Sequence, residues 1–178
     1  MIMLKFSTMW NNKGNFLVLS GGKMIIFFST LMTLILAAIF TFQSKKISFV
    51  NQLNLFFLSS MLLINSMTIL SLNKHFIEYT HQKEGFFAFI LYRDGVCPLL
   101  FLIFLNAYKQ IKKNKVKTLL VLGMIASFFV IEFTAIKAKL LVYIHWHLIL
   151  SVLLYLSFFV ILVYVLKFLE HKESEEEI

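Results

Sequence analysis

Five stretches of this chain are apolar over lengths that, at about 1.5 Å of rise per helical residue, cover a hydrocarbon core of roughly 30 Å. They run approximately Met24 to Phe42, Phe49 to Leu72, Phe86 to Tyr108, Thr118 to Ile136 and Tyr143 to Phe168. Inside a bilayer every backbone N–H and C=O must be paired within the protein, and consecutive apolar stretches of this length meet that demand as helices. The expected fold is therefore all-α, a polytopic transmembrane helix bundle of about five spans. Composition agrees: 60% of the residues are hydrophobic, 15% are charged and the mean hydropathy is +0.84, far from soluble usage. Six glycines and one proline leave no room for a flexible linker, so residues 24–168 read as one transmembrane domain.

The polar connections set the expected orientation. "KQIKKNKVK", from Lys109 to Lys117, carries five lysines. The positive-inside rule makes that loop cytoplasmic, together with the Lys45/Lys46 loop two spans earlier. The N-terminus is then outside and the C-terminus inside. The tail, residues 169–178 with "EHKESEEEI" from Glu170 onwards, is acidic and polar, and is expected to be a disordered cytoplasmic segment.

Residues 1–23 fit this scheme badly, because Lys5, Lys13 and Lys23 would lie outside. One reading starts the chain at Met24, since "GGK" before a methionine back-translates to a purine-rich ribosome-binding sequence. The other makes "FLVLSGG", Phe16 to Gly22, an interfacial segment too short to cross. A cleaved signal peptide is disfavoured, because Ala37 and Ala38 are followed by bulky apolar residues and lysines.

Net charge +8 and pI 9.6 do not point to nucleic acid here, because the lysines fall between apolar spans, where they orient the chain and meet anionic lipid. The expected partners are the bilayer itself and a membrane-protein partner or a homo-oligomer. Abundant Lys, Ile, Phe, Leu and Asn beside a single Arg resemble an AT-rich coding bias and point to a bacterial plasma membrane. Cys97 stands alone, so no intramolecular disulfide forms, and no Cys/His spacing resembles a structural zinc site.

The polar residues within the spans carry what chemistry there is. "YRDGVCP", Tyr92 to Pro98, holds the only arginine, aspartate and proline of the chain. Embedded ionisable groups cost roughly 2.5 to 3.5 kcal/mol each on insertion scales, so Arg93, Asp94 and Glu132 each need a partner, water or a route to the interface. Arg93, on the order of 10 Å below the outer boundary, and Glu132, about 6 Å deep, are expected to pair. Adjacent helical residues diverge by about 100°, so Asp94 is expected to find a partner of its own. Pro98 lacks the N–H that the Asp94 carbonyl needs, which predicts a kinked or loosened turn at "DGVCP". Two readings stand for the trio: an interhelical charge network that fixes packing, or a substrate, ion or proton site at the kink.

A second candidate site lies on the outer face: His75, Glu78 and His81 in the loop after the second span, with "HWH", His145 and His147, where the last span begins. On a helix the H-x-x-E-x-x-H spacing spreads its side chains over about 120°, which disfavours a single shared metal. Plain interfacial histidines, with Trp146 as an anchor, are the simpler reading. Asn51, Asn54 and Asn65 fall within a roughly 60° arc of the second span and read as a packing seam. Tyr143, Tyr155 and Tyr164 read as bulk apolar or interfacial material.

No G-x-S-x-G, H-E-x-x-H, P-loop or haem-attachment motif occurs, and no cofactor is specified. The sequence therefore leans away from an enzyme. It leaves three function classes in order: a small accessory or regulatory membrane protein; a small proton- or ion-coupled transporter using the outer-half polar site; and an outward-facing enzyme or a haem or quinone redox protein.

Overall fold

Each apolar stretch becomes a long helix. The computed structural model describes residues 24–80 and 82–176. Helix α1 spans Met24–Phe42. Helix α2, Phe49–Thr68, opens on Ser48, whose hydroxyl accepts from the Asn51 amide, and closes through a π-helical turn at Ile69–Asn73. The third span is composite: α3, Lys83–Ile90, a π-helical turn at Leu91–Val96, then α4, Cys97–Gln110. Helices α5, Asn114–Lys137, and α6, Leu148–Glu176, complete an all-α polytopic bundle. The 1–23 segment expected as a leader lies outside the described residues, as does His81.

The loosened turn expected at "DGVCP" takes a definite form. The amide of Cys97 reaches back to the carbonyl of Tyr92, five residues earlier, so the chain absorbs one extra residue as a π turn. Pro98 then sits in the first turn of α4, where a missing N–H is tolerated. Gly95 in this turn permits close approach of α1, since a Cβ there would stand 3.1 Å from Cγ2 of Thr33.

This third span is the axis of the bundle. In its most apolar window 56% of residues are buried, against 6% in α1. Helix α4 packs on α2, α5 and α6, and the join between three of these helices is aromatic. Phe101 of α4, Phe128 of α5 and Tyr155 of α6 meet with Phe128 between the other two, each pair of centroids 4.6 Å apart. Lipid tails are as apolar as these side chains, so the helices are held by such close packing and by polar contacts rather than by a hydrophobic drive.

The two ends of the bundle differ. At the lysine end, Gln110 Nε2 donates to the Ser44 carbonyl at 2.5 Å, and Lys109 pairs with Glu170. Ser48 donates to Glu173 at 2.7 Å. Glu170 and Glu173 are one turn apart on α6, and find partners at the end of α4 and at the cap of α2. The helix accordingly continues through most of the acidic segment that the sequence assigns to a disordered tail.

At the opposite end the two connections are sewn into a ribbon. Strand β1, Ile77–Tyr79, pairs antiparallel with β2, Leu141–Tyr143, in the register Ile77 to Tyr143, Glu78 to Val142 and Tyr79 to Leu141. Thr80 N donates to the Leu140 carbonyl, and Ile144 N to that of Phe76, extending the pairing. Alternation turns Ile77, Tyr79, Leu141 and Tyr143 towards the bundle, while Glu78 and Val142 face out. The ribbon moves the start of the last helix from the expected Tyr143 to Leu148, because 141–143 are committed to strand pairing.

Candidate functional site

Glu132 lies on the buried face of α5, with Met124, Phe128 and Ala135, and is wholly inaccessible. Its Oε1 accepts the Tyr143 hydroxyl. Tyr143 also shares a 2.9 Å hydrogen bond with Ser151 Oγ, which accepts Trp146 Nε1–H at 2.8 Å. The indole stacks on Phe76, centroids 6.2 Å apart, just ahead of β1. Three hydroxyl or N–H groups from β2, the turn before α6 and α6 itself thus close one side of the carboxyl. On the other side Tyr155 faces Glu132 and shares a 3.1 Å hydrogen bond with Tyr92 of the π turn. The Oε2 of Glu132 has no hydrogen-bond partner among the described residues. Among the described residues, no lysine, arginine or histidine is ion-paired to it.

The position of Tyr143 outside the spans makes its ionisation informative. Burial raises its pKa above the ordinary tyrosine value, and the neighbouring Glu132 charge adds to the shift. The hydroxyl is therefore a firm proton donor to the carboxyl across the neutral range. Burial also raises Tyr79, against the opposing influence of Ser71 and Arg93.

Arg93 and Asp94 form a separate site. Nε and Nη2 of Arg93 donate to the two carboxylate oxygens of Asp94 at 2.6 and 2.9 Å, a bidentate pair between adjacent residues. The expected Arg93–Glu132 pair is thus replaced, and Asp94, expected to need another partner, already has Arg93. A turn closed over five residues rotates each residue by less than the roughly 100° of an α-helix, which brings neighbouring side chains together. The pair is partly open, with side chains 17% and 32% exposed. The guanidinium also lies over the Phe89 ring, 5.4 Å from its centroid, and Phe89 stacks at 4.4 Å on Tyr79 of β1. Tyr79 in turn donates to the Met67 carbonyl at 2.5 Å, just before the π turn of α2.

The ribbon therefore touches both sites, through Tyr79 on one strand and Tyr143 on the other. Tyr92 has a further boundary role. It lines an apolar groove of about 430 Å³ between α1 and α5, together with Ile25, Met32, Val130 and Ala135.

The described members of the outer-face group, His75, Glu78, His145 and His147, do not gather into one metal-holding cluster. His75 and Glu78 line a shallow cavity of about 480 Å³ with Ser71, Tyr79 and Lys83, while His145 and His147 are exposed in the turn before α6. Because Ile77 to Tyr79 form a strand, the helical spacing assumed for His75, Glu78 and His81 does not apply. Among the described residues, no three His, Cys, Asp or Glu side chains gather closely enough to hold a metal ion. The asparagine seam also divides: Asn51 is buried, whereas Asn54 and Asn65 are exposed.

No family model matches the chain, and no curated protein or solved structure is significantly similar to it. What stands on its own residues is a polytopic α-helical membrane protein with a caged carboxyl. Sequence reasoning missed Tyr143, Ser151, Tyr92 and Tyr155 as its polar partners. The one available signal was that the hydroxyls of Tyr143 and Ser151 fall just past the span that holds Glu132.

Proposed function

We propose that this protein is a small accessory or regulatory protein of the membrane whose responsive element is the Glu132 carboxyl. One observation supports this reading above the others: a fully buried carboxyl keeps one oxygen unpartnered while the other is tied through Tyr143 and Ser151 to Trp146. An ionisable group inside a membrane domain is a functional-site hypothesis by default. Proton exchange at Glu132, or a small polar ligand reaching Oε2, alters the bond to Tyr143, and the ribbon and its Trp146 turn follow. The matching orientation has the lysine end in the cytoplasm, the N-terminus and ribbon outside, and the bacterial plasma membrane as location.

Trp146 reports directly on this coupling. In a Trp10→Phe background reconstituted in lipid vesicles, Trp146 emission is expected to shift between about pH 4 and about pH 9 in the parent and to stay flat in Glu132→Gln. An emission that ignores pH in both proteins, or a shift that persists in Glu132→Gln, removes Glu132 as the responsive group.

A second reading, a proton- or ion-coupled carrier, draws on the π turn in the central span. Interrupted helices bearing charge are a common way of building a transport site, and π turns recur at functional positions. Vesicle flux that is unchanged by Asp94→Asn and by Glu132→Gln discards it.

A further inference from the structure

The face of α2 turned away from the bundle carries Asn54, Phe57, Met61, Asn65 and Thr68, all exposed. At about 100° per residue these five fall within about 80° of arc, a single stripe. Neither amide on it has a hydrogen-bond partner among the described residues. On the inner side Gln52 Nε2 donates to the Ile47 carbonyl at 2.6 Å, and Asn106 donates to Leu102 O and accepts from Lys46 N, whereas the buried Nδ2 of Asn51 has no partner among the described residues. Asn65 lies about 12 Å from the ribbon end of a span about 37 Å long, inside the hydrocarbon. An amide there has no water to bond, so its donors and acceptor need another chain.

We propose that this stripe is a homodimer interface, occupied by the same stripe of a second copy. The amide chemistry selects that occupant, because asparagine both donates and accepts and so complements itself. Two copies inserted in the same direction place their α2 helices parallel about a twofold axis along the membrane normal, where each residue meets its own counterpart. Asn65 then pairs with the Asn65 position of the second copy, and Asn54 likewise, with Phe57, Met61 and Thr68 filling the seam between them. Charge does not oppose the approach: Phe49–Asn73 contains no Asp, Glu, Lys or Arg. Helix α1 is also exposed, but its outer face offers no comparable pair of amides to set a register.

The test is disulfide cross-linking of the full chain in lipid vesicles, with Met61→Cys in the seam and Leu122→Cys on the exposed face of α5 as the control. Native Cys97 is buried and serves as the background. Met61→Cys is expected to yield a covalent dimer and Leu122→Cys none. Adding Asn65→Leu to a fluorescently labelled protein is expected to weaken dimerisation by about threefold to thirtyfold, the range of interhelical hydrogen bonds in membranes. Because Asn65 lies on the surface, this variant is expected to keep the bundle intact, read as an unchanged Trp146 emission in the Trp10→Phe background. Cross-linking at Met61 no greater than at Leu122, a dissociation constant untouched by Asn65→Leu, or capture of a different protein by Met61→Cys in native membranes would each overturn the proposal.

Discussion

Asp94 and Glu132 meet the cost of placing a carboxyl in a membrane in opposite ways. Asp94 lies next to a guanidinium that grips both its oxygens, and its side chain is still 32% exposed. Glu132 is wholly buried and, among the described residues, has no cation paired to it and finds neutral donors for one oxygen only. The first arrangement is locally complete and depends little on the rest of the fold. The second exists only when α5, β2 and α6 are all assembled. A charge pair closed within one turn can be formed as soon as that helix forms, whereas the cage is a product of tertiary structure.

The contrast is broken most severely by reversing the charge inside the cage. Glu132→Lys buries a cation with hydroxyl neighbours and no counter-charge, and is expected to cost about 3 to 5 kcal/mol, enough to prevent stable accumulation. Yield of folded protein and its resistance to detergent unfolding measure this directly. Tyr143→Phe is milder, taking the hydroxyl donor from Oε1 of the buried carboxyl at a cost of about 1 to 3 kcal/mol. Unfolding in mixed micelles against the parent provides that number.

The same unfolding experiment on Asp94→Asn is expected to show a smaller loss than Tyr143→Phe, since the asparagine carbonyl still accepts from Arg93 and the guanidinium keeps its place over Phe89. If Asp94→Asn proved as costly as Tyr143→Phe, the distinction between a local pair and an assembled cage would fail.

The smallest effect concerns pH. Folding raises the Tyr143 pKa, so the folded state favours the neutral phenol. Its contribution is complete below about pH 10, where the free tyrosine titrates, and is lost as pH rises through the folded value. Stability of the parent is therefore expected to fall more steeply above about pH 10 than that of Tyr143→Phe. Equal slopes in thermal melts across that range would show that the hydroxyl is not buried against Glu132.

The first four spans were legible to within a few residues, and the last less closely at both ends, because their determinant is local: the length of an apolar run against the thickness of the bilayer. The central part of "YRDGVCP" was legible for the same reason, since Pro98 removes a donor wherever it stands, and the helix does change register there. The partner of Asp94 was not, because the assumed rotation of 100° per residue holds for an α-helix and the extra residue of the π turn changes it. The ribbon was hidden more deeply. Two strands of three residues, paired across a separation from Ile77 to Tyr143, leave no periodicity to detect. Tyr143 then looked like interfacial bulk, although its hydroxyl is what holds Glu132.

The sequence by itself determined the solvent, the number of helices and which few residues would be costly within them, because hydropathy and helix length act residue by residue. Only the tertiary structure decided which of those costly groups meet. Arg93 had two carboxyls within the reach that one-dimensional counting allows, and the choice between them depended on the local winding of the central span. The environment of Glu132 depended on a ribbon that joins two connections distant in sequence. Pairing of polar groups in a membrane is set by which side chains the packed helices bring within hydrogen-bond distance, and that distance is a property of the assembled bundle.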